Sequence, residues 1–195
     1  MTLPNYLDGQ ILIAMPGMGD PRFDRSLIFM CAHSENGAMG IMINKTAPMM
    51  FFSDLVEQLK IVPNGEIRTL SESVLNMPVL FGGPVEQFRG FVLHSTDYFT
   101  QNTSLPIKNN VALTATVEIL QAIARGDGPS KATLALGYSG WVAGQLENEM
   151  QQNGWLYCEA DDDLLFGADN DGKYIRALKK IGVDPLMLSS ESGHA

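Results

Sequence analysis

The chain is poor in residues that mark a compartment or a metal site. It has two cysteines and three histidines in 195 residues. His33, His94, His194, Cys31 and Cys158 show no metal-ligand spacing, so no structural zinc centre is expected. Both cysteines fall in apolar, strand-like runs, which favours two buried free thiols over a disulfide. No lysine or arginine precedes Arg22, and Asp8 stands ahead of the first apolar run, so no secretory leader is expected. The longest unbroken apolar run, Leu27 to Ala32, falls far short of the ~20 residues that span a bilayer. A cytoplasmic protein with no membrane partner is the expectation.

Positive charge is also scarce. Thirteen basic side chains face 22 acidic ones, for a net charge of -9 and a pI near 4.7. Phosphate binding needs Lys and Arg to displace counterions, so direct contact with nucleic acid is disfavoured. Residues 1–97 carry 6 basic and 10 acidic groups and residues 98–195 carry 7 and 12, so neither half is a basic arm. What is present is apolar: 45% hydrophobic and 18% charged residues describe a packed chain, not a disordered one. The length, with no repeat and no Gly/Ser linker, predicts a single domain over 1–195, with an ordered core at about 5–185 and a flexible tail at 186–195.

Apolar runs bounded by turn residues predict strands at Gly9–Met15, Ser26–His33, Ala38–Asn44, Val79–Phe81, Phe91–His94, Thr133–Gly137 and Trp155–Glu159. Asn36-Gly37 between two of them predicts a type I′ hairpin, because both residues tolerate positive φ. Four helices are expected. One runs from Asp54 to Lys60 behind a Ser53 cap. A second is capped by Asn110, with a stripe of Leu113, Val117, Leu120 and Ala124, and stops at Gly126. The third spans Trp141–Gln152, and the last runs from Lys173 to Lys180. Strands and helices do not alternate regularly, which favours α+β over a doubly wound sheet.

Most chemical motifs fail on spacing. Gly17-x-Gly19 is followed by Arg22 and a strand, so it lacks the third glycine and the helix of a dinucleotide fingerprint. Asp169-Asn-Asp-Gly172 resembles the middle of a calcium loop, but the end positions are Gly167 and Leu178 instead of carboxylates. It reads as a solvated turn that caps the last helix. That helix gathers Lys173, Arg176 and Lys180 on one face, the one patch able to meet phosphates, although cations there also complement the helix dipole. Gly137-Tyr138-Ser139-Gly140-Trp141, between an expected strand and helix, has the setting of a nucleophile elbow, but Trp141 stands where the elbow needs glycine. A relay from Ser139 to His33 or His94, or a His/Glu acid–base pair, is the enzymatic alternative, a small-molecule hydrolase. Met49-Met50-Phe51-Phe52 reads as core, with a Met-rich docking surface as its alternative.

Several blocks, in order, resemble the bacterial AlgH/YqgE family. They are Ala14-x-Pro16 with Phe23-x-Arg25-Ser26, Gly37-Ala38-x-Gly40-Ile41 through Asn44, and Gly82-Gly83-Pro84-Val85 with Leu93-His94. Gly137-Tyr-Ser-Gly-Trp141 and Gly144-Gln-Leu-Glu147-x-Glu149 with Trp155-Leu156 complete the set. The resemblance spans about residues 5 to 185. It implies a mostly antiparallel, bifurcated sheet folded into a pseudo-barrel with about four helices packed around it. It implies no established catalytic residue. The family is generally described as of unknown function, and some members carry a transcriptional-regulator label. No helix-turn-helix is recognisable here to match that label. Alanine often stands at the position of Ser139 in the family, which weakens the nucleophile reading.

Together these observations predict a non-enzymatic binding or regulatory module, acting indirectly if it regulates transcription. Its expected ligand- or partner-binding cluster is Arg25, His33, Asn44, Gly82, Gly83, His94, Tyr138, Trp141, Gln145 and Glu149, because polar groups beside sheet-forming segments must find partners if buried. No cofactor or metal is expected. The partner is an unidentified protein or small molecule.

Overall fold

The computed structural model describes residues 6–62 and 70–188. In chain order the elements are β1 (Gln10–Ala14), β2 (Leu27–Ser34), β3 (Gly37–Met42), β4 (Thr46–Phe51), α1 (Phe52–Gln58), α2 (Glu72–Leu75), β5 (Pro78–Phe81), β6 (Val85–Ser95), β7 (Ser104–Ile107) and β8 (Val111–Thr114). There follow α3 (Val117–Arg125), β9 (Ala132–Val142), α4 (Gln145–Gln151), β10 (Trp155–Glu159), α5 (Asp162–Phe166), α6 (Asn170–Lys180) and α7 (Pro185–Leu188). The fold is α+β, and among the described residues every strand pairing is antiparallel except that of β5 with β9. Among the described residues four helices have seven or more residues: α1, α3, α4 and α6.

Contacts gather the chain into two compact units. One comprises the residues through Lys45 together with those from Ser139 onward, and the other is Thr46–Tyr138. In the first, the strand order is β10-β1-β2-β3, with β3 pairing the last residues of β9 from Gly40↔Ser139 to Gly37↔Val142. Ile11 to Ala14 and Leu27 to Met30 are buried without alternation. Such continuous runs belong to strands covered on both faces. The α6 helix supplies cover, since Tyr174 donates its hydroxyl to the Ala14 carbonyl at 2.7 Å. Each fully buried Leu, Ile or Phe contributes roughly 1.5–3 kcal/mol.

In the Thr46–Tyr138 unit the early part of β9 is flanked by β5, parallel, and β6, antiparallel; β6 continues to β8 and β7. The core joins Phe52 and Val56 of α1 to Ile119 and Ile123 of α3 over Val79, Val92 and Leu134 of the sheet. The α3 helix ends on Gly126 at φ 82°, the left-handed conformation that glycine adopts without a Cβ clash.

Several local expectations change. The β2–β3 hairpin forms, but Ser34 pairs with Gly37, so its turn residues are Glu35 and Asn36, neither at positive φ, and it is not type I′. Gly37 is required because a Cβ there would strike the Trp141 carbonyl of β9. Helix α1 begins one residue before Ser53, and Asp54 caps it by accepting the Phe51 N–H at 2.7 Å. The helix expected from Asn110 starts only at Val117. Asn109 and Asn110 both take left-handed φ (64° and 58°) to turn β7 into β8, and Val111–Thr114 is strand. Gly137–Trp141 lies inside β9 and is not a strand-to-helix turn, and α4 begins only at Gln145. The expected flexible tail opens with α7 through Leu188; its remainder, with His194, lies outside the described residues.

Candidate functional site

Of the ten residues expected to form one cluster, Arg25, His33, Asn44, Trp141, Gln145 and Glu149 belong to the unit that includes Lys45, and Gly82, Gly83, His94 and Tyr138 belong to Thr46–Tyr138. The first six form three separate knots. Asn44 Oδ1 accepts the Leu27 N–H at 2.8 Å, and its Nδ2 donates to the Arg25 carbonyl at 2.9 Å. This holds Arg25 at a φ of 51°, with its guanidinium 5.1 Å from the Tyr174 ring. Glu149 accepts the indole N–H of Trp141 at 2.9 Å, that of Trp155 at 2.8 Å and the Gln145 amide at 2.9 Å. His33 Nδ1 accepts the Leu7 N–H at 3.0 Å, which puts the ring proton on Nε2, and Nε2 donates to Glu147 at 2.9 Å. A His/Glu pair therefore exists, but both ring nitrogens are engaged and neither is left for a substrate proton.

His94 is fully buried at the end of a hydrogen-bond chain. Its Nδ1 lies 2.9 Å from the Ser95 carbonyl, an acceptor, so Nδ1 carries the proton and Nε2 accepts the Thr114 hydroxyl at 2.8 Å. Burial pushes its pKa down, which keeps the ring neutral and fits that tautomer. Thr114 in turn accepts from Ser104, whose Oγ takes the Thr100 N–H. Tyr138 packs edge-on against Phe91. Gly82 and Gly137 allow a close backbone approach: a Cβ on Gly82 would collide with the Gly137 carbonyl.

The nucleophile reading of Ser139 meets a geometric obstacle. Its Oγ is buried and has no hydrogen-bond partner, so no histidine stands in position to take its proton. The basic face of the last helix is not a free patch either. Arg176 contacts Asp163 at 2.8 Å and Asp169 at 2.6 Å, and Lys180 pairs with Asp161. Lys173 is 1% exposed and donates to the Ile43 carbonyl at 3.1 Å; burial lowers its pKa to about 8. Both cysteines are buried, and desolvation raises Cys31 to about 12 and Cys158 to about 11, which suppresses the reactive thiolate.

The Thr46–Tyr138 unit contains an apolar cavity of about 470 Å³. Leu55 and Leu59 from the α1 segment, Val117 and Leu120 of α3, and Leu134 and Leu136 of β9 form much of its wall, and none of its lining residues is charged. Met50 also lines it, whereas Met49 is 94% exposed and Phe52 is in the core. The Met-rich segment is thus split between core and surface. Phe88 stands at the mouth, 98% exposed. The sequence reading did not single out this wall. One signal was available: Phe88 sits among Glu86, Gln87 and Arg89, a lone aromatic in a polar run.

The family model described as AlgH-like matches residues 11–186. The chain belongs to the AlgH-like family. An AlgH-like relative, a UPF0301 protein of Bradyrhizobium diazoefficiens, is 60% identical over 97% of this chain and 89% of its own length. A UPF0301 protein of Nitrobacter hamburgensis is 58% identical over 98% and 88%. The solution structure of the AlgH protein from Pseudomonas aeruginosa superposes with a TM-score of 0.77 at 37% identity, covering 100% of this chain and 99% of that one. A crystal structure of a Corynebacterium diphtheriae protein, 19% identical with a TM-score of 0.69, shares the fold. The AlgH-like blocks therefore identified family and fold together. Among the described residues no helix is long and apolar enough to cross a membrane.

Proposed function

We propose that this AlgH-like chain is a non-catalytic binding module whose site is the apolar cavity of the Thr46–Tyr138 unit. The observation that carries the reading is the uncharged wall around about 470 Å³, within the ~300–1,000 Å³ of ligand pockets. A second observation supports it. Of nine exposed large hydrophobic side chains among the described residues, seven belong to this unit: Met49, Phe51, Leu59, Phe88, Phe99, Leu105 and Val117. Three of them, Leu59, Phe88 and Val117, line the cavity, so apolar exposure adjoins it. On this reading the expected cluster residues serve the fold, since the side-chain polar groups of His33, Asn44, His94, Trp141, Gln145 and Glu149 are hydrogen-bonded within it. Any regulation of transcription runs through a partner and not through DNA on this reading, because the three cations on the basic face of α6 are engaged: Lys173 is buried, and Arg176 and Lys180 are paired with carboxylates.

The test uses the full chain and N-phenylnaphthylamine, a neutral dye that fluoresces in apolar surroundings. Saturable binding is expected, weakened at least tenfold by Leu59→Glu at a half-exposed wall position, with an unchanged circular dichroism spectrum to show that the variant is folded. Absence of dye binding, or equal binding by the variant, contradicts the reading.

A further inference from the structure

We propose that two copies of this chain meet at the cavity, Phe88 of each entering the cavity of the other. The inference rests on the reading of the cavity as the binding site and names its occupant. It starts from a backbone feature. Along β6 the pairing with β9 jumps from Val85↔Tyr138 to Gly90↔Leu136, so residues 86–89 bulge out of the ladder, with Glu86 at a φ of 46°. Bulges re-aim side chains. This one carries Phe88, which is 98% exposed and at the same time borders the cavity. A projecting ring and an apolar recess therefore share one face. A two-fold contact requires such a face, because the same patch must give and receive.

Area and charge argue for the same occupant. An aromatic side chain presents roughly 200 Å², about a quarter of the ~800 Å² that each partner contributes to a standard interface. Leu59, Val117 and the cavity wall add apolar area beside it. Two chains of net charge -9 repel, so a self-contact is best made where charge is low. The wall is uncharged, and the Thr46–Tyr138 segment carries six basic and eight acidic residues against seven and fourteen elsewhere. On the bulge, Arg89 and Glu86 pair at 2.9 Å on either side of Phe88 in sequence. Both signs are thus present on one patch, and across a two-fold axis each copy can offer Arg89 to the other's Glu86.

Sedimentation of the full chain from low micromolar to several hundred micromolar tests the inference. A reversible monomer–dimer equilibrium is expected, with dissociation at least tenfold easier for Phe88→Asp and an intermediate effect for Phe88→Leu. A melting temperature unchanged at concentrations where the wild type is monomeric shows that each variant is folded. Because the dye and the second copy share the cavity, N-phenylnaphthylamine should shift the wild type towards monomer. A wild type that stays monomeric throughout, or a Phe88→Asp chain that dimerises as the wild type does, overturns the inference. Should the dye still bind in either case and Leu59→Glu abolish it, the binding reading stands with a small apolar ligand or a partner helix as occupant. Absence of dye binding even to the wild type at concentrations where it sediments as a monomer overturns both.

Discussion

The two units use their polar and apolar side chains in opposite ways. The unit containing Lys45 and Ser139 carries fourteen acidic and seven basic residues, and several of its polar side chains are tied down: two indoles on Glu149, His33 on Glu147, Lys173 on a backbone carbonyl. The Thr46–Tyr138 unit is closer to neutral and leaves apolar side chains uncovered around a recess. Halving the chain by sequence hides this contrast, because one unit is inserted into the other. On the reading proposed above, the residues that resemble catalytic or ligand-binding groups act within the fold, and the surface proposed for association is made of residues with no reactive chemistry.

The largest effect is expected from Glu149→Ala, which takes the acceptor from two buried indoles and one amide. A loss of about 3 kcal/mol by urea denaturation, at an unchanged m-value, is predicted, and Glu149→Gln should lose about half as much because it keeps an acceptor oxygen. A loss below ~1 kcal/mol would break the claim that polar ties hold this unit. In the other unit, Gly82→Ala should cost about 2 kcal/mol through the clash with the Gly137 carbonyl. Gly90→Ala, where a Cβ meets nothing within 4 Å, should stay within ~0.5 kcal/mol.

Lys173→Met should act in the opposite direction. Below pH 8 the lysine is protonated in both folded and unfolded chains, and its burial opposes folding in full. Between about 8 and the ordinary 10.5 the folded chain sheds the proton that the unfolded chain keeps, so stability from this group rises with pH. The buried thiols, raised to about 12 and about 11 from 9.0, lose stability above pH 9 in both proteins and cancel in the difference. The variant should therefore be about 1 kcal/mol more stable than wild type at pH 7, the lost bond to Ile43 offsetting part of the gain. That advantage should shrink by pH 9.5; a constant difference would show that the amine is not desolvated. Phe88→Asp, like Gly90→Ala, should change stability by no more than ~0.5 kcal/mol at concentrations where the chain is monomeric, since the ring touches little there.

The sheet of the Lys45-containing unit was legible because β1, β2, β3 and β10 are apolar runs closed by turn residues. Other segments carry two local meanings, which tertiary pairing decides. Asn109-Asn110 can cap a helix or turn a hairpin, and β8 decides for the hairpin. The glycines at 137 and 140 resemble a loop, yet both lie within β9, where Gly137, at a φ of 73°, sits against the Gly83 carbonyl. Lys173 shares a helical face with Arg176 in the sequence, but the spacing cannot show that its ammonium is buried under Ile43. The His33–Glu147 contact joins residues 114 apart. The cavity was hard to read for the same reason: α1, β6, α3 and β9 each supply part of the wall, and apart from Phe88 its apolar side chains read as ordinary core.

The central claim is that ligands enter the Thr46–Tyr138 unit and leave the conspicuous polar residues untouched. Amide chemical-shift mapping of the full chain during an N-phenylnaphthylamine titration tests it most directly. The account predicts saturating shifts at Leu55, Leu59, Val117, Leu120 and Leu134, with His33, Asn44, Gln145 and Glu149 unmoved. Shifts centred on Trp141, Gln145 and Glu149, with the cavity amides unmoved, would contradict it.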